Sequence, residues 1–205
     1  MLTGICMVRS LAGEGKEGRS RDRRYHAGLP VMSPYVKPGA VPGEARHPEI
    51  CGETTMEIRP ASAADIPALC HLLDQLFAQE AEFTPDREAQ QRGLAAIIED
   101  PRVGEILLAE EDGRPLGMVN LLYTISTALG TPVALLEDMV VDATARGRGL
   151  GTQLLEAAAA TARRRGCRRI TLLTDADNLD AQRFYARQGF ARSPMIPLRL
   201  ALDPQ

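Results

Sequence analysis

Between Ala145 and Leu155 the chain reads ARGRGLGTQLL. Gly147, Gly149 and Gly151 stand at every second position, flanked by Arg146 and Arg148 and followed by Thr152. Each glycine inside a regular element costs roughly 0.5–1 kcal/mol relative to alanine, so this much bare backbone implies a use. A helix begins here, and a helix start presents about four unpaired N–H groups and a partial positive charge. Glycines let a phosphate approach those groups closely, and two guanidinium groups add charge. The chemistry on offer is anion binding; the plainer alternative is a strand-to-helix turn. Two familiar phosphate motifs do not fit. Walker A needs a lysine, and none occurs after residue 55. The dinucleotide fingerprint needs a third glycine where Leu154 stands, and the strand before it comes late in the chain.

Other reactive side chains carry less on their own. Tyr185 lies between Phe184 and Phe190 and reads equally well as a core aromatic. Glu137 and Asp138 are adjacent on a strand, so alternation sends them to opposite faces and only one should reach a given site. His71 sits on an amphipathic helix and reads as a packed or solvated residue. Cys70 and Cys167 lack a neighbour in sequence that would make either a nucleophile. The arginines from Arg163 to Arg169 complement a helix C-terminus and face solvent more simply than they bind RNA.

The elements that must hold these groups follow from pattern. A first strand ends near Ile58. Ser62 or Asp65 caps a helix through IPALCHLLDQLFAQ, and a second helix covers REAQQRGLAAIIED, stopping before Pro101. EILLAEEDGRPLGMVNLLY reads as two strands turning at Asp112-Gly113, and VALLEDMVV as another. A helix then runs from Gly149 to Arg165, closed by Gly166. RRITLLTD is a strand, NLDAQRFYARQG a helix, and IPLRLAL a final strand. The class is α/β (α+β): a mixed sheet with helices on its faces rather than a regular doubly wound array.

Residues 1–55 have a different composition. They hold 8 of the 18 glycines, 5 of the 14 prolines and both lysines, without apolar periodicity. Such a stretch buries too little to offset its ordering entropy, so it reads as a disordered extension, with the domain spanning 56–205. Translation starting at Met56 is the simpler account, and a regulatory or targeting tail the alternative. The chain of 205 residues is 44% hydrophobic and 25% charged with a net charge of −3, which gives no basic footprint for nucleic acid. No apolar run approaches the roughly 20 residues of a membrane span. Four cysteines without a CxxC read as reduced thiols, and the expected location is cytoplasmic.

Two segments in register resemble the GCN5-related N-acetyltransferase (GNAT) superfamily. Its acyl-CoA signature, [Q/R]xxGx[G/A], is similar to Arg146, Gly147, Arg148, Gly149, Leu150 and Gly151. A second element, NxxAxxxYxxxGF, is matched by Asn178, Ala181, Tyr185, Gly189 and Phe190. The opening IRPASAADIPAL and the LAEEDGRPLGMV hairpin also look like this family, so the resemblance covers Met56 to about Ala201. It implies a GNAT fold with a sheet of about six to seven strands and about four helices. It implies acetyl-CoA as co-substrate, no metal, and acetyl transfer to a primary amine by direct attack in a ternary complex. Met139, Val140 and Val141 would pair with the pantetheine arm, and the loop from Arg146 to Thr152 would hold the pyrophosphate. Asn178 would contact the cofactor arm. Tyr185 falls on the family's general acid, and Glu137 on its basic carboxylate. The expected acceptor is a small-molecule amine, with a homodimer left open. A catalytically silent acyl-CoA-binding or sensor domain is the alternative from another class, and a protein N-terminal or lysine acetyltransferase a third. Glu80, Glu82 and Asp86 hint at a cationic acceptor but read equally as solvated helix charges.

Overall fold

Asp112 and Gly113 turn the chain as their types predict. Both take positive φ, 52° and 77°, which matches a two-residue turn to the twist of its strands. On either side of this turn lie β2 (Gly104–Glu111) and β3 (Arg114–Ser126), paired antiparallel. The computed structural model describes residues 56–78, 86–200 and 202; the extension read over 1–55 lies outside them, as do Glu80 and Glu82. β1 (Met56–Pro60) joins the outer edge of β2, and β4 (Thr131–Val141) joins β3, both antiparallel. β5 (Ile170–Leu172) runs parallel to β4. The result is a mixed five-stranded sheet in the order β1-β2-β3-β4-β5.

Strand alternation sorts the apolar side chains into two cores. On one face, Ile106, Leu108, Met118 and Val140 pack under α1 (Ile66–Phe77) and α2 (Arg87–Glu99). On the other, Leu107, Val119, Leu121, Leu136 and Met139 pack under α3 (Leu150–Arg164) and α4 (Leu179–Arg187). Leu150, Leu154, Leu155, Ala158 and Ala162 recur at helical spacing and give α3 its buried stripe. Gly166 closes that helix with φ of 78°. At the start of α1, Arg59 bridges Asp65 and Glu110, each at 2.9 Å, tying β1 and β2 to the helix entry. That guanidinium holds the Asp65 carboxyl well below the usual carboxylate range.

Two expectations need correction. The final strand over IPLRLAL does not form: residues 191–200 carry no strand, and Ile196, Leu198 and Leu200 are 79–88% exposed. The alternating pattern is present, but a strand needs a ladder partner, and Pro197 near its start has no N–H to give one. The sheet among the described residues therefore has five strands, not the six to seven expected. The fifth strand is also short, because the chain leaves the ladder after Leu172.

Candidate active site

The glycine loop opens into a pocket of about 170 Å³. Val141, Arg146, Gly147, Gly149, Leu150, Gly151 and Thr152 line it. Gly147 and Gly149 have φ of 75° and 81°, left-handed values that an L side chain adopts only under strain. Gly149 is the N-cap of α3, and no side chain caps that helix start. By contrast, α2 is capped by Asp86, accepting from the Ala89 N–H at 3.0 Å, and α4 by Asn178, accepting from the Ala181 N–H at 3.2 Å. The first turn of α3 thus presents its N–H groups and its positive end to the pocket, the donor set an anion requires. The loop is held from behind. Asp142 accepts from the Thr144 hydroxyl, from Gln75 Nε2 at 2.9 Å and from the Thr144 N–H at 2.9 Å, and these bonds hold its carboxyl down to about 2.

The two loop arginines diverge. Arg146 lines the pocket and donates from Nε to the Val141 carbonyl at 3.2 Å. Arg148 turns toward β2 and pairs with Glu111. A cation that sequence reasoning missed, Arg187 in the last turn of α4, lines the pocket together with Phe184. The only available signal was its place two residues after Tyr185 on the same helix.

Next to the loop, the outer edge of β4 has no strand partner among the described residues. The β4–β5 ladder runs from Ala134↔Ile170 to Leu136↔Leu172 and stops. Met139, Val140 and Val141 lie beyond its end and keep their pairing with β3 on the other side. Strand edges of this kind accept an extended partner through backbone hydrogen bonds. The edge and the uncapped helix start are contiguous through Val141 and the loop. Together they fit an extended amide-bearing arm ending in a diphosphate.

Tyr185 is buried, at 3% exposure, on the α3/α4 side. Its hydroxyl donates to Met139 Sδ at 3.7 Å, which places it against the unpaired part of β4. Phe184 and Phe190 meet its ring edge-on, with centroids 5.2 and 5.4 Å away. This is the packing that the core-aromatic reading expects, with the hydroxyl beside Met139. Asn178, 7% exposed, spends its Oδ1 on the α4 cap.

The carboxylates depart from the alternation expected of them. Val119 pairs with Met139 but Leu121 pairs with Leu136, so Asn120 faces two residues, Glu137 and Asp138. This is a β-bulge. Leu136 and Met139 both belong to the α3/α4 core, and each neighbour alternates away from it. Glu137 and Asp138 therefore share the α1/α2 side of the sheet, where alternation without a bulge had separated them. Asn120 Nδ2 donates to Asp138 Oδ2 at 3.4 Å. Burial pushes the Asp138 carboxyl up to about 6, against the opposing pull of that amide. Elsewhere, His71 is exposed beside Gln75, and burial raises the Cys70 thiol.

The comparisons agree with this architecture. The family model for the acetyltransferase (GNAT) family matches residues 66–190. The chain is 31% identical over 137 residues to the aminoalkylphosphonate N-acetyltransferase of Salmonella typhimurium, covering 67% of this chain and 86% of the relative. It is 32% identical over 135 residues to the N-acetyltransferase YhfO of Bacillus subtilis, covering 66% and 89%. Among solved structures, an integron cassette protein from the mobile metagenome of Cole Harbour salt marsh superposes with a TM-score of 0.62 at 29% identity. That match covers 72% of this chain and 91% of the other. An acyltransferase enzyme of the GNAT class is what the family model and the relatives define. The chain belongs to the acetyltransferase (GNAT) family.

Proposed function

We propose that the protein transfers an acetyl group from acetyl-CoA to the primary amine of a small molecule, by direct attack in a ternary complex. The observation that carries this reading is the unpaired outer half of β4, flanked by different chemistry on its two sides. Tyr185 approaches it from the α3/α4 side, and the carboxylates of the bulge stand on the α1/α2 side. Acetyl-CoA supplies the activated acyl carbon. The diphosphate would rest on the start of α3 and its glycines, with Arg146 and Arg187 beside it, and the pantetheine amides on Met139 to Val141.

The amine then enters from the carboxylate side. Its nitrogen forms a bond to the carbonyl carbon while Glu137 accepts a proton, directly or through water. Collapse breaks the carbon–sulfur bond on the opposite side of the sheet. The thiolate takes a proton from the Tyr185 hydroxyl, giving amide and free thiol, and the phenolate regains a proton from solvent. Attack and departure on opposite sides keep base and acid from neutralising each other. Retention of both groups supports catalysis over a silent acyl-CoA sensor.

The test is release of free thiol from acetyl-CoA against a panel of amines. Aminoalkylphosphonates come first, after the Salmonella relative, followed by polyamines, amino acids, aminoglycosides and peptides. Amine-dependent release is expected with at least one small molecule. Tight acetyl-CoA binding with no release beyond slow hydrolysis would establish the sensor reading instead.

A further inference from the structure

Asn120 is a polar residue whose burial the fold does not require. It is 2% exposed in the middle of β3, and its strand neighbours Met118, Val119 and Leu121 are all buried apolar residues. Its Nδ2 is used by Asp138. Its Oδ1 is sealed from solvent and accepts no hydrogen bond among the described residues. A buried acceptor left empty carries its full desolvation penalty, which an apolar residue at this position would avoid. That oxygen is on the same planar amide whose Nδ2 reaches the Asp138 carboxylate at 3.4 Å, so the two acceptors lie about one amide's width apart.

We propose that Asn120 Oδ1 and the Asp138 carboxylate form the seat of the acceptor's amino group. Both are acceptors, so the ligand that completes them must bring at least two N–H groups from one atom. A primary ammonium does this, with a positive charge that a buried carboxylate favours. An alcohol has one hydrogen and no charge, and a tertiary amine has too few donors. A site built this way discriminates strongly against analogues that leave its polar groups empty. The bulge makes the seat by bringing Glu137 and Asp138 to one side, so that Asp138 holds the ammonium while Glu137 stands beside it to take the proton whose loss frees the nitrogen lone pair. Glu137 passes that proton to water before it accepts the second one, released as the carbon–nitrogen bond forms. The proposal rests on the acetyltransferase reading for its purpose, but binding at the seat is separable from turnover.

The test uses the full chain saturated with coenzyme A, with asparagine side chains labelled with nitrogen-15. Asn120 is assigned by the loss of its resonance in Asn120→Leu. Adding n-propylamine should shift that resonance saturably, and n-propanol should not. In Asn120→Leu and in Asp138→Asn, n-propylamine affinity should fall about ten- to hundredfold, the loss of a charge-assisted hydrogen bond. Coenzyme A affinity should hold in both, which reports an intact fold; Asp138→Asn preserves shape if the leucine variant does not fold. An unmoved Asn120 resonance would overturn the proposal. So would equal shifts with n-propanol, which mark a hydrated polar hole, or undiminished amine affinity in the folded variants. Amine binding at Asn120 without thiol release from any amine would instead count against the acetyl-transfer reading and leave the seat standing.

Discussion

The outer half of β4 ends in two sites built by opposite means. At its C-terminal end, toward Gly147 and Gly149, the binding groups are backbone N–H donors at an uncapped helix start. At its bulge, the binding groups are side chains: Glu137, Asp138 and Asn120. A backbone donor set suits an anion and tolerates variation in the side chains around it. Arg148 illustrates this by pairing with Glu111 rather than lining the pocket. A side-chain site is selective, since each donor or acceptor must be matched by the ligand. The difference teaches that an end built of backbone N–H groups keeps its character whatever side chains surround it, while an end built of side chains depends on each residue present.

The largest expected effect tests whether chemistry lies between the two sites. Tyr185→Phe keeps the ring against Phe184 and Phe190 but removes the hydroxyl at Met139. Turnover should fall by about 10²–10⁴-fold, the usual range for general acid catalysis, with acetyl-CoA affinity from calorimetry unchanged. Undiminished kcat would take the acid role from Tyr185.

The bulge predicts an intermediate effect that depends on pH. The folded Asp138 carboxyl keeps its proton up to about 6, against an ordinary value of 3.8. Between those values the native state binds more protons than the unfolded chain, so rising pH lowers stability and the loss persists above the window. Asp138→Asn should remove this term. Urea unfolding of the ligand-free proteins should show the variant gaining about 2–3 kcal/mol relative to wild type between pH 4 and pH 7. Parallel curves would mean that the carboxyl is well solvated, and the side-chain site would lose its distinction from an ordinary surface.

The smallest effect sharpens the backbone side. A Cβ at Gly149 meets nothing within 4 Å, so its cost to the fold is the left-handed φ alone. Gly149→Ala should lose about 1–2 kcal/mol in thermal or urea unfolding. Gly166→Ala, with similar φ and equally open space, should lose about the same. Only Gly149→Ala should also raise the acetyl-CoA dissociation constant. Equal affinity in the two variants would reduce the loop to a turn.

By itself the sequence determined the glycine-loop end. Glycine types at fixed spacing specify left-handed turns and an open helix start wherever the chain places them, and the Asp112-Gly113 hairpin follows from the same local logic. Asn178, Tyr185 and Phe190 were singled out by a motif resemblance, and the first two fall at the cap and in the body of α4. What only the tertiary structure decided was long-range pairing. Alternation along β4 separates Glu137 from Asp138, and a register slip against Asn120, 18 residues away along the chain, brings them together. Arg187 reaches the loop only because α4 packs beside α3. Over Ile196–Leu202 the sequence has the alternation of a strand, yet no ladder receives residues 191–200. Turns and helix starts are local in sequence; bulges, pockets and ladder partners depend on contacts between distant segments, and those contacts decide which side chains share a site.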